Sequence, residues 1–506
     1  MQTNILEYLE QTAPRLPHKI AFSNGIDDLC FSDLLRLSRR IGSALANAGY
    51  KNEPVAVLME KHPNQIAAFF GVIYAGCFSV PLDPEMPDRR MELILEQVGA
   101  SVLLVDAAGE KRIGTLSFRG KILRLTDLTG READDGILNE IRRRQIDTDP
   151  IYIVFTSGST GIPKGVVACH RSVIDYTEAL CQALPFSEDT VFANQTPLYF
   201  DAPLKEIMPT VKYGATVYFV PRQLFLFPVK LCDFLNEKRI NTICWVVSAL
   251  VMISSFGCLE KNPPKYLSTV AFGSEVFPRP QYELWRKALP DTKFYNLYGP
   301  TEATGMSCWW HADRELDPDE PIPIGQPFHN TDLFLLGEDG KPAGHGEPGE
   351  IYLRGTCVTL GYYNNPEKTA EAFVQNPLQK YYPELVYKTG DIGRYNERGE
   401  LVFLSRRDAQ IKHMGHRIEL GEIEAAAALH PNLRRACCVY DADRKRIVLF
   451  YVGDTTPAEL NSFFRSYLPR YMIPNECVQK QSMPLTPNGK LDRKLLQAEA
   501  CGKENG

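Results

Sequence analysis

The feature that most constrains the fold is an alternation of short apolar runs with helix-like stretches through more than half of the chain. Val55-Ala56-Val57-Leu58 and Val102-Leu103-Leu104-Val105 read as buried strands, and Ser79-Val80 as a shorter one. Phe31 to Ala48, Pro63 to Tyr74 and Arg89 to Val98 read as helices. In the first of these, Leu34, Leu35, Leu37, Ile41, Ala44 and Leu45 recur at helical spacing. The pattern continues through Thr216 to Val220, Leu224 to Lys238, Thr242 to Val246 and Tyr282 to Leu289. A β-α-β-α order predicts a largely parallel sheet covered by helices.

After about residue 325 the texture changes to short strands separated by Gly-, Asp-, Asn- and Pro-rich turns. Leu333 to Leu336, Glu350 to Leu353, Gly393 to Tyr395 and Leu401 to Leu404 predict a small antiparallel, barrel-like subdomain. A compact α+β unit follows: helix Gly421 to Leu429, strands Ala436 to Tyr440 and Ile447 to Tyr451, helix Ala458 to Tyr467 and a basic tail. The expected class is therefore α/β. A large N-terminal domain, 1–407, holds the parallel sheets and the barrel-like piece, and a small mobile C-terminal domain, 408–506, follows it.

A chain of 506 residues is too long for one simple core. Its net charge of −6 gives no basic footprint for nucleic acid. No apolar run approaches the roughly 18 residues of a membrane span, and no membrane insertion is expected. Met1 to Tyr8 lacks the basic and apolar regions of a signal peptide. The 13 cysteines fall at irregular intervals without a CxxC pair, as expected of reduced thiols in a cytoplasmic protein.

Tyr152 to Gly165 joins an apolar strand to the loop Thr156-Ser157-Gly158-Ser159-Thr160-Gly161-Ile162-Pro163-Lys164-Gly165. Glycines let backbone N–H groups approach an anion, while hydroxyls and a lysine add donors and charge. This predicts a phosphate cradle, and hence a nucleotide. It is not a Walker loop, because Gly165 follows Lys164 where Ser or Thr would meet magnesium.

The loop is followed by Asn296-Leu297-Tyr298-Gly299-Pro300-Thr301-Glu302, Tyr387-Lys388-Thr389-Gly390-Asp391, Ser405-Arg406-Arg407-Asp408, Ile411 to Glu419, and Pro487-Asn488-Gly489-Lys490-Leu491-Asp492-Arg493. In this order and spacing the chain resembles the acyl-adenylate-forming superfamily over nearly its whole length. It is most similar to amino-acid adenylation domains of nonribosomal peptide synthetases and to D-alanine–carrier protein ligases. The resemblance implies two steps. A carboxylate attacks the α-phosphate of Mg-ATP, giving an acyl-adenylate and pyrophosphate. A thiol, usually the phosphopantetheine of a carrier protein, then displaces AMP.

The resemblance also implies roles. Thr156, Ser157, Gly158, Ser159, Thr160, Gly161 and Lys164 would hold the leaving phosphates. Gly273, Ser274, Glu275, Asn296, Tyr298 and Gly299 would line the nucleotide site, with Tyr298 offering a face to adenine. Glu302 would ligate Mg2+, and Thr301 would bond the α-phosphate or the substrate carboxylate. Asp391 would accept the ribose hydroxyls, and Arg406 would add a ribose or phosphate contact; Ser405 stands where the family usually has Gly. Lys490 would carry the first chemical step by bridging the attacking carboxylate and the α-phosphate. Asp408 resembles the hinge, and the loop at Gly415 would enter the site for the thioester step.

Asp201 matches the aspartate that pairs with a substrate α-ammonium, and a buried cation needs such a partner. Read alone, Asp201 is also a good helix N-cap. The family pattern places Ala202, Lys205, Cys244, Val270, Phe272, Leu297, Gly305 and Met306 around the side-chain pocket. D-alanine ligases typically have an apolar residue at Lys205 and a cysteine at Gly273, so this chain departs from them twice. Lys205 favours an acidic, glutamate-like substrate. The plainer alternative pairs it with Glu206 or extends it to water, leaving room for a small amino acid. An acyl-CoA ligase and a silent nucleotide-binding protein of the same fold are the competing classes. No carrier segment follows Lys494, so the expected carrier acts in trans.

Overall fold

All residues of Pro54–Leu58, Phe78–Leu82 and Val102–Val105 are buried. A strand covered on both faces has no solvent side to make polar, so these runs show no alternation. The computed structural model of the chain describes residues 2–158, 161–317, 319–408, 410–486 and 491–502. It places these strands in a six-stranded sheet ordered Lys121–Arg124, Val102–Val105, Pro54–Leu58, Phe78–Leu82, Pro150–Thr156, Lys164–Cys169. The first five run parallel and the last turns back antiparallel.

A nine-stranded sheet lies against it. Its centre is the parallel set Thr216–Phe219, Val191–Asn194, Thr242–Val246, Thr269–Gly273 and Lys293–Tyr298. One apolar cluster joins the two sheets, with Val55 and Val102 from one and Phe22, Val217 and Leu297 from the other. A second cluster, around Trp245, Phe272, Trp285 and Phe294, covers the opposite face of the larger sheet.

The barrel-like piece is a five-stranded antiparallel sheet of Thr331–Leu336, Gly349–Gly355, Phe373–Gln375, Leu385–Tyr395 and Leu401–Arg406. A hairpin follows, Gln410–His413 with His416–Glu419, and then helix Leu420–Ala428. Leu433–Asp441, Arg446–Gly453 and Glu476–Gln479 form the last sheet. Helix Pro457–Tyr467 starts on a capping box between Thr456 and Glu459. Ile418, Ile423, Cys438, Leu449, Leu460 and Phe464 give this unit a core of its own.

Two elements differ from the sequence reading. Leu224 to Lys238 is not one helix: a 3-10 turn, Arg222–Leu226, precedes helix Pro228–Glu237. Proline lacks the amide needed inside a helix and restricts Phe227 before it, so the helix restarts with Pro228 at its first turn. The basic tail contains helix Arg493–Ala500, capped by Asp492, whose carboxylate accepts from Leu495 N at 3.0 Å. Its buried Leu496 and Ala500 pack on Cys437, Val448 and Phe450. All 13 cysteines are unpaired. Among the described residues no helix is long and apolar enough to cross a membrane.

Candidate active site

The phosphate loop closes a β-hairpin, with Thr156 in register with Lys164 across it. Among the described residues the segment runs from strand to strand with no helix in between, so the donors it offers are the loop's own amides, hydroxyls and lysine. Gly158 is required: a Cβ there would stand 1.9 Å from the Ile162 carbonyl oxygen. Thr156 and Ser157 are buried beside the loop, and Ser159 and Thr160 lie outside the described residues. Lys164 projects its ammonium over the Tyr362 ring, 5.4 Å from the centroid, and 3.9 Å from Glu419 Oε1. Burial and the neighbouring Arg417 hold its pKa below the ordinary lysine value.

Glu302 sits in the short turn Thr301–Ala303 and is fully buried. Arg417 Nη1 donates to both of its oxygens, at 3.0 and 2.8 Å, and the Tyr362 hydroxyl donates at 2.7 Å. Burial alone would push this carboxyl up, but Arg417 and Tyr362 outweigh it and bring the pKa to about 2. A buried, ionised carboxylate suits Mg2+, which takes one or two protein carboxylates and completes its shell with water and phosphate oxygens. Among the described residues no cluster of three or more His, Cys, Asp or Glu offers a fuller cage.

Asp391 is buried, with Oδ2 accepting from the Tyr298 hydroxyl at 2.5 Å and Oδ1 from Arg406 at 2.7 Å. Arg406 also grips Asp408 through two bonds, at 2.9 and 2.7 Å. Lys412 places its ammonium 5.7 Å from the Tyr298 ring centroid, and burial lowers its pKa. A polar cavity of about 260 Å³ runs from Lys164 past Arg406 and Asp408 to Arg417 and Glu419.

Gly273 ends its strand with no room for a side chain, since a Cβ would meet the Leu297 carbonyl oxygen at 2.2 Å. Ser274, next to it, has φ +68°. Glu275 Oε2 accepts from Ser248 N at 2.8 Å, and Oε1 accepts from Gly415 N at 3.1 Å. Gly299 packs against the backbone of Gly305 and Met306. Asn296 directs its side-chain amide to the Pro323 carbonyl at 2.8 Å.

Asp201 does not cap the helix after it; helix Leu204–Pro209 has no side-chain cap. Its carboxylate is hydrogen-bonded to Thr301 and lies 3.4 Å from where a Gly305 Cβ would be. Burial raises its pKa, although Thr301 and the charge of Lys205 oppose the rise. Lys205 is 3% exposed. Among the described residues its ammonium has no hydrogen bond and no carboxylate within 4.0 Å, so no close Glu206 ion pair forms, although the charge of Lys205 acts on Glu206 from farther away. Glu206 instead accepts from Asn194 Nδ2 at 2.6 Å and leaves Oε1 without a partner. Burial raises Glu206 to about 7, against Lys205, Asn194 and Lys61.

Cys244, Leu297 and Met306 share one apolar cluster, with Ala202 at the start of the segment that carries Lys205. Val270 and Phe272 do not join them. They lie in the cluster on the opposite face, where Phe272 meets Phe277 and Tyr282 edge-on and tilted. Register explains the correction: Cys244 pairs with Ala271, and Ala271 with Tyr295. Side chains alternate along a strand, so Ala271 rather than its neighbours shares the face of Cys244 and Leu297.

The sequence alone does not single out Arg417, Lys412, Tyr362 or Ala271. Arg417 and Lys412 lie inside the Ile411 to Glu419 motif, but their partners are far away in sequence. Lys490 lies outside the described residues.

Residues 9–363 match the family model of the AMP-binding enzymes, and residues 422–490 match that of the AMP-binding enzyme C-terminal domain. Tyrocidine synthase 3 of Brevibacillus parabrevis is 32% identical over 99% of this chain, and malpinin synthetase of Mortierella alpina is 31% identical over 97%. The chain spans only 8% and 6% of those two proteins. An artificially fused adenylation–PCP di-domain from Klebsiella oxytoca superposes with TM-score 0.82 at 21% identity, covering 94% of each chain. These matches place the chain in the acyl-adenylate-forming superfamily, as an ATP-using adenylation domain of the nonribosomal peptide synthetase type.

Proposed function

We propose that this chain activates an amino acid as its aminoacyl-adenylate and then transfers it to the phosphopantetheine thiol of a carrier protein acting in trans. The observation that carries the amino-acid reading is Asp201. It is a buried carboxylate without an ion pair, hydrogen-bonded to Thr301 and backed by Gly305. A substrate α-ammonium would supply the missing counter-charge. Lys205, one helical turn on, is a second buried charge with no hydrogen bond and no carboxylate within 4.0 Å among the described residues, and we assign it to an acceptor on the substrate side chain, most simply a carboxylate. A small apolar amino acid is the second reading, favoured by the apolar wall of Cys244, Ala271, Leu297 and Met306.

In the first step the phosphate loop and Lys164 hold the β- and γ-phosphates, and Thr301 orients the reacting carboxylate or α-phosphate. Glu302 would hold Mg2+, which supplies charge neutralisation on the phosphates when bound. Asp391 and Arg406 position the ribose, with Tyr298 beside them. Lys490 bridges the attacking carboxylate and the α-phosphate, where charge builds. We place the boundary between the two units at 407/408, with Asp408 as the hinge, and read the hairpin at Gly415 as the wall past which the thiol arm reaches the adenylate. The unpaired cysteines support a reducing, cytoplasmic setting.

The test is ATP–pyrophosphate exchange across L- and D-amino acids, with wild type and Lys205→Ala. The expected result is exchange driven by an acidic amino acid, lost most strongly for that substrate in the variant. A wild-type preference for an aliphatic residue would end the acidic assignment. Thioester formation on coenzyme A from a fatty acid, with no amino-acid-dependent exchange, would favour an acyl-CoA ligase.

A further inference from the structure

Three of the groups assigned to pyrophosphate, Ser157, Gly158 and Lys164, and the carboxylate assigned to magnesium all meet one six-residue stretch of the C-terminal unit. Ser157 Oγ donates to the Arg417 carbonyl at 2.9 Å. Gly158 N–H donates to Glu422 Oε2 at 3.2 Å. Lys164 Nζ stands 3.9 Å from Glu419 Oε1. On the metal side, the Arg417 guanidinium lies on both oxygens of Glu302. Arg90, 5% exposed and from the N-terminal unit, closes the set by donating to Glu422 Oε1 at 2.5 Å. Glu419 and Glu422 are themselves buried, at 6% and 4% exposure.

These occupants match the expected ligand in the sign of charge at each group. Two carboxylates and a carbonyl lie against the donors of the phosphate loop, and a guanidinium lies on the carboxylate suited to the hard cation. We propose that Arg417, Glu419 and Glu422 form an intramolecular surrogate for metal-bound pyrophosphate, so that this docked arrangement and Mg-pyrophosphate compete for one site. The proposal rests on the reading of the loop as the pyrophosphate site. Buried charges are costly when unpaired, and the surrogate keeps Glu302, Lys164 and Arg90 paired after the product has left. The hairpin that carries Gly415 thereby enters the site only once pyrophosphate has vacated it. Retained pyrophosphate holds back the thiol step without touching the thiol, and Arg417, Glu419 and Glu422 act as positioning residues for that step.

The test uses the full chain without nucleotide and reads two quantities: calorimetric binding of Mg-pyrophosphate, and hydrogen exchange of the segment 410–425 by mass spectrometry. The segment should be protected at the start and lose protection as Mg-pyrophosphate binds, with inorganic phosphate far less effective. Arg417→Met weakens the surrogate and should tighten pyrophosphate binding, by about tenfold if the docked state dominates in the free chain. Should that variant fail to fold, the wild-type titration decides alone. Pyrophosphate binding that leaves the segment protected would overturn the proposal but not the loop reading. Absence of binding would overturn both. A segment unprotected before any ligand is added would overturn the surrogate.

Discussion

At Gly415 the backbone turns with φ +79°, and an added Cβ would stand 2.5 Å from Val246 Cγ1. Gly415→Leu should therefore block the docked hairpin and slow thioester formation by roughly a hundredfold or more, as misplacement of reacting groups does. Pyrophosphate exchange should survive, and equal loss of both activities in paired assays would contradict the division of labour. Phe272 makes the opposite case. It is 2% exposed and packed on Phe277 and Tyr282, away from Asp201. Phe272→Ala should cost about 3–5 kcal/mol in a urea melt while leaving the ranking of amino-acid substrates unchanged. A changed ranking at unchanged stability would return Phe272 to the pocket. The difference between these residues shows what is legible in the sequence. Gly415 stands in a motif whose glycine has one reading. Every residue of Thr269–Gly273 is buried on one face or the other, so the strand carries no polar period to say which face Phe272 takes.

Among the elements, the hairpin Gln410–His413 and His416–Glu419 carries a pH dependence of its own. His416 stacks on Tyr471 at 3.8 Å between ring centroids and lies 5.2 Å from the Phe200 ring. Burial, with His413 and Arg222 nearby, lowers its pKa to about 4 in the docked arrangement. A free imidazole titrates near 6.5. The docked state thus binds fewer protons, so it is favoured above pH about 6.5 and weakens as pH falls toward 4, on the order of a hundredfold in total. Glu302 enters only at the low end of that window, since its contribution is lost as pH falls from about 4.5 through about 2. Hydrogen exchange of the hairpin against pH, in wild type and His416→Phe, checks this. His413 on the same hairpin also has its pKa lowered by burial, and Glu422 beyond it has its pKa raised by burial. The variant should therefore lose the part of the dependence due to His416 and keep the rest, and an unchanged profile would remove His416 from the account. The hairpin's strands are not legible in the sequence, and the entry of its loop at Gly415 is expected only from the family resemblance, without its partners. Arg417 and Glu302 are 115 residues apart, and nothing local in either segment encodes the other. The long buried strands are legible for the converse reason, since their signal is contained in four or five consecutive apolar residues.

For the whole molecule, the proposed mechanism divides one reaction between two faces of the C-terminal unit. The hairpin face is docked here, with Gly415 bonded to Glu275 and Arg417 to Glu302. In that proposal Lys490 serves the first step. Lys490→Ala should reduce exchange by about a hundredfold or more, the scale of losing a charge-stabilising group in the transition state. Transfer from a supplied aminoacyl-adenylate to a carrier thiol should remain near normal in the same variant, and loss of both steps would contradict the assignment. The measurement that bears most directly on the central claim is ATP–pyrophosphate exchange with each L- and D-amino acid, wild type against Asp201→Ala. The account predicts exchange that requires an amino acid, peaks with an acidic one and is lost in the variant. Exchange driven equally by an acid lacking the α-amino group, and indifferent to Asp201, would contradict it.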